Sequence, residues 1–337
     1  MEYRRLGSSG LRVSALCLGT YNFGNATSEE IARSTIQTAL GNGINFVDTA
    51  DSYASGESER IIGRFLKDTH LRDELLLVTK VYYATGPGPN DSGLSRHHII
   101  NACEDSLRRL QTDHIDIYLT HRPVFDMPID EVLVALDSLA RQGKICYAGS
   151  STYPAWKIVE AIKVSEARGY IQFVCESPPY NLLDRRVENE IVPACQAYGL
   201  GLMPWSPIAM GMLAGRYPPS DKFPHGSRAA ASPEGIYAQR IRRRGLDVAA
   251  AVVSMAQEYN LTPAQLSLVW LKDQPGVTSP IIGPRDPAQL REMLQIADMH
   301  PEPGLLKAFD KLNPPGAAVA NFFNTSGWMK DAVVEGY

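Results

Sequence analysis

Cysteine is scarce in this chain: five in 337 residues. Cys17, Cys103, Cys146, Cys175 and Cys195 show no C-x-x-C spacing. A disulfide-stapled secreted scaffold is therefore excluded, and the thiols read as buried and free in a reducing cytoplasm. No apolar run approaches the ~18 residues of a membrane span. The opening MEYRRLGSSGLRV lacks the apolar core of a signal peptide, so a cytoplasmic location is expected. A large excess of one charge is also missing: 33 Lys+Arg stand against 37 Asp+Glu, a net charge of −4. Neither nucleic acid nor a membrane is expected as a partner. His97-His98 has no second ligand pair, so no metal site is expected. G-x-G-x-x-G, Walker A and G-x-S-x-G are all absent, which removes the usual dinucleotide, nucleotide and serine-hydrolase signatures. No Ser/Gly/Pro-rich linker divides the chain.

What is present is a repeated alternation. After a short hairpin with Gly7-Ser8-Ser9-Gly10 as its turn, apolar runs rich in Val, Ile and Leu occur at 15–18, 45–49, 75–79, 115–120, 145–149, 173–176, 201–204 and 279–282. They do not alternate with polar residues, as expected of strands covered on both faces. Helical periods lie between them, at 28–42, 57–67, 95–110, 129–142, 154–168, 186–197, 263–272 and 287–297. Ser95 and Thr262-Pro263 give helix starts, and Gly143 and Gly169 give stops. Eight strand–helix units in succession predict a parallel sheet closed into an α/β (β/α)₈ barrel, as one domain over 1–337. The surplus over a typical barrel falls to the hairpin, to an insertion at 206–260 with an extra helix near 246–259, and to an aromatic C-terminal tail placed over the barrel mouth. The run Arg240, Arg242, Arg243 and Arg244 reads as the solvated face of a helix.

Such barrels carry chemistry at the C-terminal strand ends. Those ends hold Asp48 with Tyr53 five residues on, Lys80, His121, Ser150-Ser151 and Trp205-Ser206-Pro207. A buried Lys and a buried Asp on neighbouring strands would be costly apart, so Asp48 and Lys80 should meet. A lysine beside Tyr53 would favour its phenolate and suit it to act as a general acid near neutral pH, with His121 orienting a carbonyl oxygen. Any one of these groups could be a satisfied polar residue of the rim; four at four matching positions point to function. Tyr21, Phe23, Tyr82 and Trp205 could line an apolar substrate pocket.

The ordered blocks Phe46-Val47-Asp48-Thr49-Ala50 through Tyr53, Gly56-Glu57-Ser58-Glu59, Val78-Thr79-Lys80, Asp113-His114-Ile115-Asp116 through His121-Arg122-Pro123, Gly149-Ser150-Ser151, Pro204-Trp205-Ser206-Pro207 and Ile282-Gly283 with Arg285 resemble the aldo-keto reductases over nearly the whole chain. The resemblance implies a catalytic tetrad of Asp48, Tyr53, Lys80 and His121, and reduction of an aldehyde or ketone by NADPH held in the barrel mouth. It implies cofactor contacts from Gly19, Thr20, Tyr21, Asp48, Ser151, Gln172, Trp205, Ser206, Pro207, Ile208, Gly211, Arg216, Arg228, Gly283, Arg285 and Gln289. It implies substrate contacts from Tyr21, Phe23, Tyr53, Tyr82 and His121. Three arginines tilt the cofactor toward NADP, because guanidinium suits phosphate. The expected partner is a small-molecule carbonyl substrate, and a homo-oligomer is left open. Two positions depart from the family pattern. Thr152 stands where Asn usually follows the Ser, and Met293 stands where an adenine-binding Asn is common. Two alternatives stay open. One is a keto-sugar reductase, to which the stretches Pro275-Gly276-Val277-Thr278 and Arg228-Ala229-Ala230 are similar. The other is a cofactor-sensing channel subunit with vestigial catalysis, although such subunits carry Asn where this chain has His121.

Overall fold

The computed structural model describes residues 1–218, 223–241 and 243–323. Strands β1 (Tyr3–Arg5) and β2 (Arg12–Ser14) form an antiparallel hairpin. Eight parallel strands follow: β3 (Cys17–Gly19), β4 (Phe46–Asp48), β5 (Leu76–Val81), β6 (Ile115–Thr120), β7 (Ile145–Ser151), β8 (Phe173–Ser177), β9 (Gly201–Leu202) and β10 (Ile281–Ile282). They pair in the order β10-β3-β4-β5-β6-β7-β8-β9. The open ends are drawn together by the amides of Thr278 and Ser279 on the Leu202 carbonyl and by Ile281 N–H on the Pro204 carbonyl at 2.8 Å. The result is the expected (β/α)₈ barrel.

Helices α1 (Glu29–Gly41), α2 (Glu57–Thr69), α3 (Arg96–Leu110), α4 (Ile129–Arg141), α5 (Ala155–Arg168) and α6 (Ile191–Tyr198) cover the first six strand units. The insertion after β9 holds the short α7 (Arg228–Ala231) and α8 (Ile236–Arg240) and the longer α9 (Arg243–Glu258), which is the extra helix expected near 246–259. Then come α10 (Pro263–Lys272), α11 (Pro287–Leu294) and α12 (Pro303–Leu312). Thr262 caps α10 in a reciprocal capping box with Gln265.

Two cores result. One lies between strands and helices, and all six residues of β6 are buried because it is covered on both faces. The other fills the barrel interior with Cys17, Phe46, Val78, Ile117, Cys175 and Met203. Leu6 and Val13 of the hairpin join this inner cluster, so the hairpin plugs the end opposite the mouth. The plug sits tightly: Ser8 N–H donates to the Gly199 carbonyl at 2.7 Å, and a Cβ on Gly7 would lie 2.4 Å from that oxygen.

Several boundaries differ from the sequence expectation for identifiable reasons. β9 and β10 are two residues each, where four were expected, because Pro204 and Pro280 cannot donate to the ladder. The period at 186–197 divides into a 3₁₀ turn at Arg186–Glu188 and then α6, whose first turn accommodates Pro193. Helix α12 was not expected at all; Pro303-Gly304 suggests a turn, yet Pro sits well at a first helical position and Leu305 and Phe309 bury one face. Cys146 is exposed rather than buried, at the plugged end of β7. There it lies near His114 and Asp116, but the Asp116 carboxylate already accepts from Arg72 and Leu77 N–H. No helix among the described residues is long and apolar enough to cross a membrane.

The segment 313–323 runs along the loop after β8 on the mouth side, where Phe322 N–H donates to Asp184 at 2.7 Å and Ala318 bridges Asp184. The tail aromatics Trp328 and Tyr337 lie outside the described residues.

Candidate active site

At the C-terminal ends of the strands opens a cavity of about 770 Å³. Asp48 closes β4, Lys80 stands one residue before the end of β5, and His121 follows β6 directly. Asp48 pairs with Val78 and Lys80 with Leu119, so each step to the next strand advances two residues, which keeps the three side chains on one face at the C-terminal rim; Tyr53 reaches the same place from a 3₁₀ turn at Tyr53–Gly56. Lys80 Nζ lies 2.6 Å from Asp48 Oδ1, donates to the Thr49 carbonyl at 2.7 Å, and approaches Tyr53 Oη at 3.4 Å. The Tyr53 ring packs edge-on against Tyr21 (5.1 Å between centroids) and His121 (5.9 Å). The expected tetrad is therefore assembled in one place.

Burial works against both charges of the Asp48–Lys80 pair. It drives the Lys80 pKa down, but Asp48 and Tyr53 outweigh it and hold the ammonium above its ordinary range. Burial also pushes Asp48 up, with Lys80 opposing. His121 is held well below the usual imidazole range, first by burial and then by the positive charges of Lys80 and Arg122. It is neutral at physiological pH and fits a hydrogen-bonding role better than that of a charged acid.

The mouth is also where the backbone is strained. Ala54 and Ser55 follow Tyr53 with φ of 49° and 55°; Thr152 follows Ser151 at 61°; Ser206, Ala209 and Met210 stand at 56°, 50° and 56°. Left-handed backbone in non-glycine residues costs roughly 1–2 kcal/mol each and gathers at functional sites. The other described examples, His70, Gln111 and Asn260, lie at or just beyond helix C-termini. Thr152 shows what the strain achieves: its Oγ1 accepts from Trp205 Nε1 at 3.3 Å and orients the indole beside the cavity.

Most of the expected cofactor positions line this cavity: Gly19, Tyr21, Asp48, Ser151, Trp205, Ser206, Pro207, Ile208, Gly211, Arg216, Gly283, Arg285 and Gln289. Gly19 must lack a side chain, since a Cβ would sit 2.6 Å from Ile281 Cγ2. Arg216 and Arg285, far apart in sequence, both donate to the Gly226 carbonyl, at 2.7 and 3.4 Å. They place two guanidinium groups together on the cavity wall, where Arg285 N–H also donates to Gln289 Oε1 at 3.0 Å.

Four expectations are corrected. Gln172 is exposed and precedes β8, at the wrong end of the strand; the mouth position on β8 belongs to Ser177. Thr20 is fully buried behind the wall, where its hydroxyl donates to the Asp48 carbonyl and accepts from Ser58. Phe23 is fully buried in the outer core, leaving Tyr21 and Asn22 to face the cavity. Tyr82 packs against the outer core while Tyr83 lines the cavity, since neighbours on an extended chain face opposite ways. The side chain of Arg228 lies outside the described residues.

Other cavity residues went unrecognised in the sequence. Asn22 Nδ2 donates to the Gly283 carbonyl and ties the first loop to the last. Arg122 Nε donates to Tyr83 Oη at 2.8 Å. Arg240, expected on a solvated face, is only 5% exposed and sits between the rings of Trp205 and Phe322. No local pattern marks these residues, because loops from different units bring them together.

Family comparison agrees with this geometry. The aldo/keto reductase family pattern matches residues 15–313. The chain belongs to the aldo/keto reductase family. It is 38% identical over 326 residues to a Bacillus subtilis protein described as an uncharacterized oxidoreductase, YrpG, covering 94% of this chain and 97% of that one. It is 35% identical over 308 residues to a probable voltage-gated potassium channel subunit beta of Arabidopsis thaliana, covering 89% and 92%. A putative subunit of the same description from Schizosaccharomyces pombe is 34% identical over 322 residues, covering 93% of each chain.

Behind the mouth, two carboxyls are held protonated near neutral pH. Glu176 accepts from Ser150 Oγ at 2.5 Å and Tyr153 N–H at 3.2 Å, yet its full burial pushes its pKa up to about 8. Asp51 is likewise pushed up to about 8, by burial and then by the Glu59 carboxylate. In the unfolded chain both would titrate near the ordinary ~4. The unfolded state therefore loses these protons first as pH rises. Stability from these groups is full below about pH 4 and is lost progressively up to about pH 8, by about 1.4 kcal/mol per pH unit for each group. Glu176→Gln keeps the shape without the proton, so its stability should fall less steeply between pH 5 and 8. Urea denaturation at successive pH values reads this directly; parallel slopes for both proteins would refute the protonation of Glu176.

Proposed function

We propose that this protein reduces an aldehyde or ketone to the alcohol with NADPH, reversibly. The observation that carries the reading is the Asp48–Lys80–Tyr53–His121 cluster in a cavity whose wall also holds the paired guanidinium groups of Arg216 and Arg285. The donor set suits the cofactor. Arg216 and Arg285 would hold the adenosine phosphate, the Ser206–Gly211 loop would follow the pyrophosphate, and Ser151 and Trp205 would hold the nicotinamide end. Met293 lines the adenosine end and offers no amide, so an adenine hydrogen bond would come from elsewhere, with Glu292 and Gln289 beside it. When bound, NADPH would supply a hydride for the carbonyl carbon.

The chain's own residues do the rest. Neutral His121 and the Tyr53 hydroxyl converge on the carbonyl oxygen and orient it. Tyr53 gives up its proton as charge develops on that oxygen, and Lys80 stabilises the phenolate left behind. Asp48 keeps Lys80 charged and aimed. Tyr21 and Trp205 line the cavity and would flank the substrate.

The test is oxidation of NADPH and NADH side by side across a panel of aldehydes, ketones and keto-sugars. Turnover is expected with NADPH preferred. Arg285→Ala should raise KM for NADPH by about 10- to 100-fold and KM for NADH far less, since only the former carries the extra phosphate. Equal effects on both would remove Arg285 from phosphate binding. The potassium-channel subunits among the relatives favour a second reading, a cofactor-sensing subunit with vestigial turnover. Cofactor binding without turnover on the whole panel would support it.

A further inference from the structure

Glu176 is a fully buried carboxyl that the proposed chemistry does not touch. Its neighbour Ser177 lines the cavity, and on an extended strand Glu176 then points behind the wall. A carboxyl in such a place is costly unless it is hydrogen-bonded, so its partners show what it serves. Among the described residues they all lie on one turn, the end of β7 and the two residues after it. Ser150 Oγ donates to Oε2 at 2.5 Å, Tyr153 N–H donates to Oε1 at 3.2 Å, and the Thr152 N–H also favours the carboxylate.

The turn so held is strained and faces the cavity. Thr152 stands at φ 61°, a left-handed backbone that a β-branched residue rarely adopts. Ser151 and Thr152 both line the cavity. Ser151 Oγ and Thr152 N–H donate to the Ser177 carbonyl at 2.9 and 3.2 Å. Thr152 Oγ1 accepts the one donor of the Trp205 indole at 3.3 Å. The main chain of Trp205 is fixed by the same segment: its N–H donates to the Pro178 carbonyl at 3.0 Å, and its carbonyl accepts from Tyr180 N–H at 3.3 Å. Its ring has further contacts, with the guanidinium carbons of Arg122 and Arg240 at 5.9 and 5.6 Å from the centroid. A cation over a ring face tolerates rotation of the ring in its own plane, whereas a hydrogen bond does not.

We infer that Glu176 is a positioning residue: it holds the 150–153 turn in its left-handed form and so, through the Thr152 hydroxyl, aims the Trp205 indole at the nicotinamide end of the cavity. The part that concerns nicotinamide rests on the reductase reading. The part that concerns the indole does not.

The first experiment needs no cofactor. The chain has four tryptophans, so the near-UV circular dichroism of Trp205 is isolated by subtracting the spectrum of a Trp205→Phe partner made in each background. Thr152→Val keeps the shape and the backbone strain and removes only Oγ1; it should cut the Trp205 band by about half or more, the indole having lost its directional contact. Glu176→Leu should do the same, with the rest of the near-UV spectrum retained. Glu176→Gln keeps an acceptor for Tyr153 N–H and a polar partner for Ser150, and should preserve the band. If Glu176→Leu fails to fold, Ser150→Ala, which cuts one hold on the turn, should weaken the band in the same sense. A band unchanged in Thr152→Val, in folded Glu176→Leu or in its stand-in Ser150→Ala overturns the proposal.

The second experiment reads the cofactor. Thr152→Val should raise KM for NADPH about 2- to 10-fold, the range of one hydrogen bond, with little change in kcat because the tetrad is untouched. Glu176→Leu should raise it at least as much, and Glu176→Gln should not. The double variant Glu176→Leu/Thr152→Val should lose no more than Glu176→Leu alone, since one residue acts through the other. A smaller folded fraction would instead lower the apparent kcat at unchanged KM. Additive rises in KM would reject the coupling. If no carbonyl is reduced with NADPH, the reductase reading fails, and the Trp205 band still decides this one.

Discussion

Replacing Tyr53 by phenylalanine is expected to lower kcat for carbonyl reduction by about 10²–10⁴-fold, the usual worth of a positioned general acid. The substitution removes one oxygen and keeps the ring, so the edge-on contacts with Tyr21 and His121 remain available. What disappears is the hydroxyl 3.4 Å from Lys80 Nζ, and with it the proton that the new alkoxide needs. KM for NADPH should move little, because the expected phosphate contacts are at the other end of the cavity. The loss should therefore appear in kcat and kcat/KM alike. Steady-state kinetics with one good aldehyde is sufficient, and a Tyr53→Phe enzyme retaining a tenth or more of the wild-type kcat would dismiss Tyr53 as the acid.

The second large effect concerns the ion pair beneath it. Lys80→Met should abolish turnover and also destabilise the fold by about 3–5 kcal/mol, the cost of stranding one member of a buried pair. Both partners are buried and 2.6 Å apart, so Asp48 would be left in an apolar wall and driven to take up a proton. Adding Asp48→Asn removes the stranded charge. The double variant should recover most of the stability and none of the activity, since no ammonium remains beside Tyr53. Chemical denaturation of the two single variants and the double closes the cycle. Additive losses in stability would show that the two residues do not act as a pair.

The barrel was legible because its signal is repeated. Eight apolar runs without alternation, separated by helical periods, leave few arrangements that cover both faces of every strand. The candidate tetrad was legible from strand ends: parallel strands gather their C-terminal residues at one rim, so Asp48, Lys80 and His121 stand out there although the ladder steps them by two residues from strand to strand. Positions carried over from the resemblance met a different local geometry. Gln172 precedes its strand, and a position at the wrong end of β8 cannot reach the mouth. Tyr82 was expected at the cavity and Tyr83 lines it instead, because a step of one residue on extended backbone reverses the side a residue faces.

Periodicity and strand-end chemistry by themselves determined the fold class and pointed to four polar groups at the barrel mouth, while the loops around the cavity followed from the family resemblance. They depend on residues close in sequence or locked by a repeating ladder. The convergence of Arg216 with Arg285 on the Gly226 carbonyl, the seating of Arg240 between Trp205 and Phe322, and the hold of Thr152 on the Trp205 indole were decided only by tertiary structure. Each joins loops from different strand–helix units, and loop paths follow from packing across the barrel mouth rather than from any local pattern. The same physical reason separates the two kinds of knowledge about function. The candidate tetrad lies at strand ends and the turn after β4, where the sequence speaks, and the rest of the cavity wall comes from loops that only the folded chain brings together.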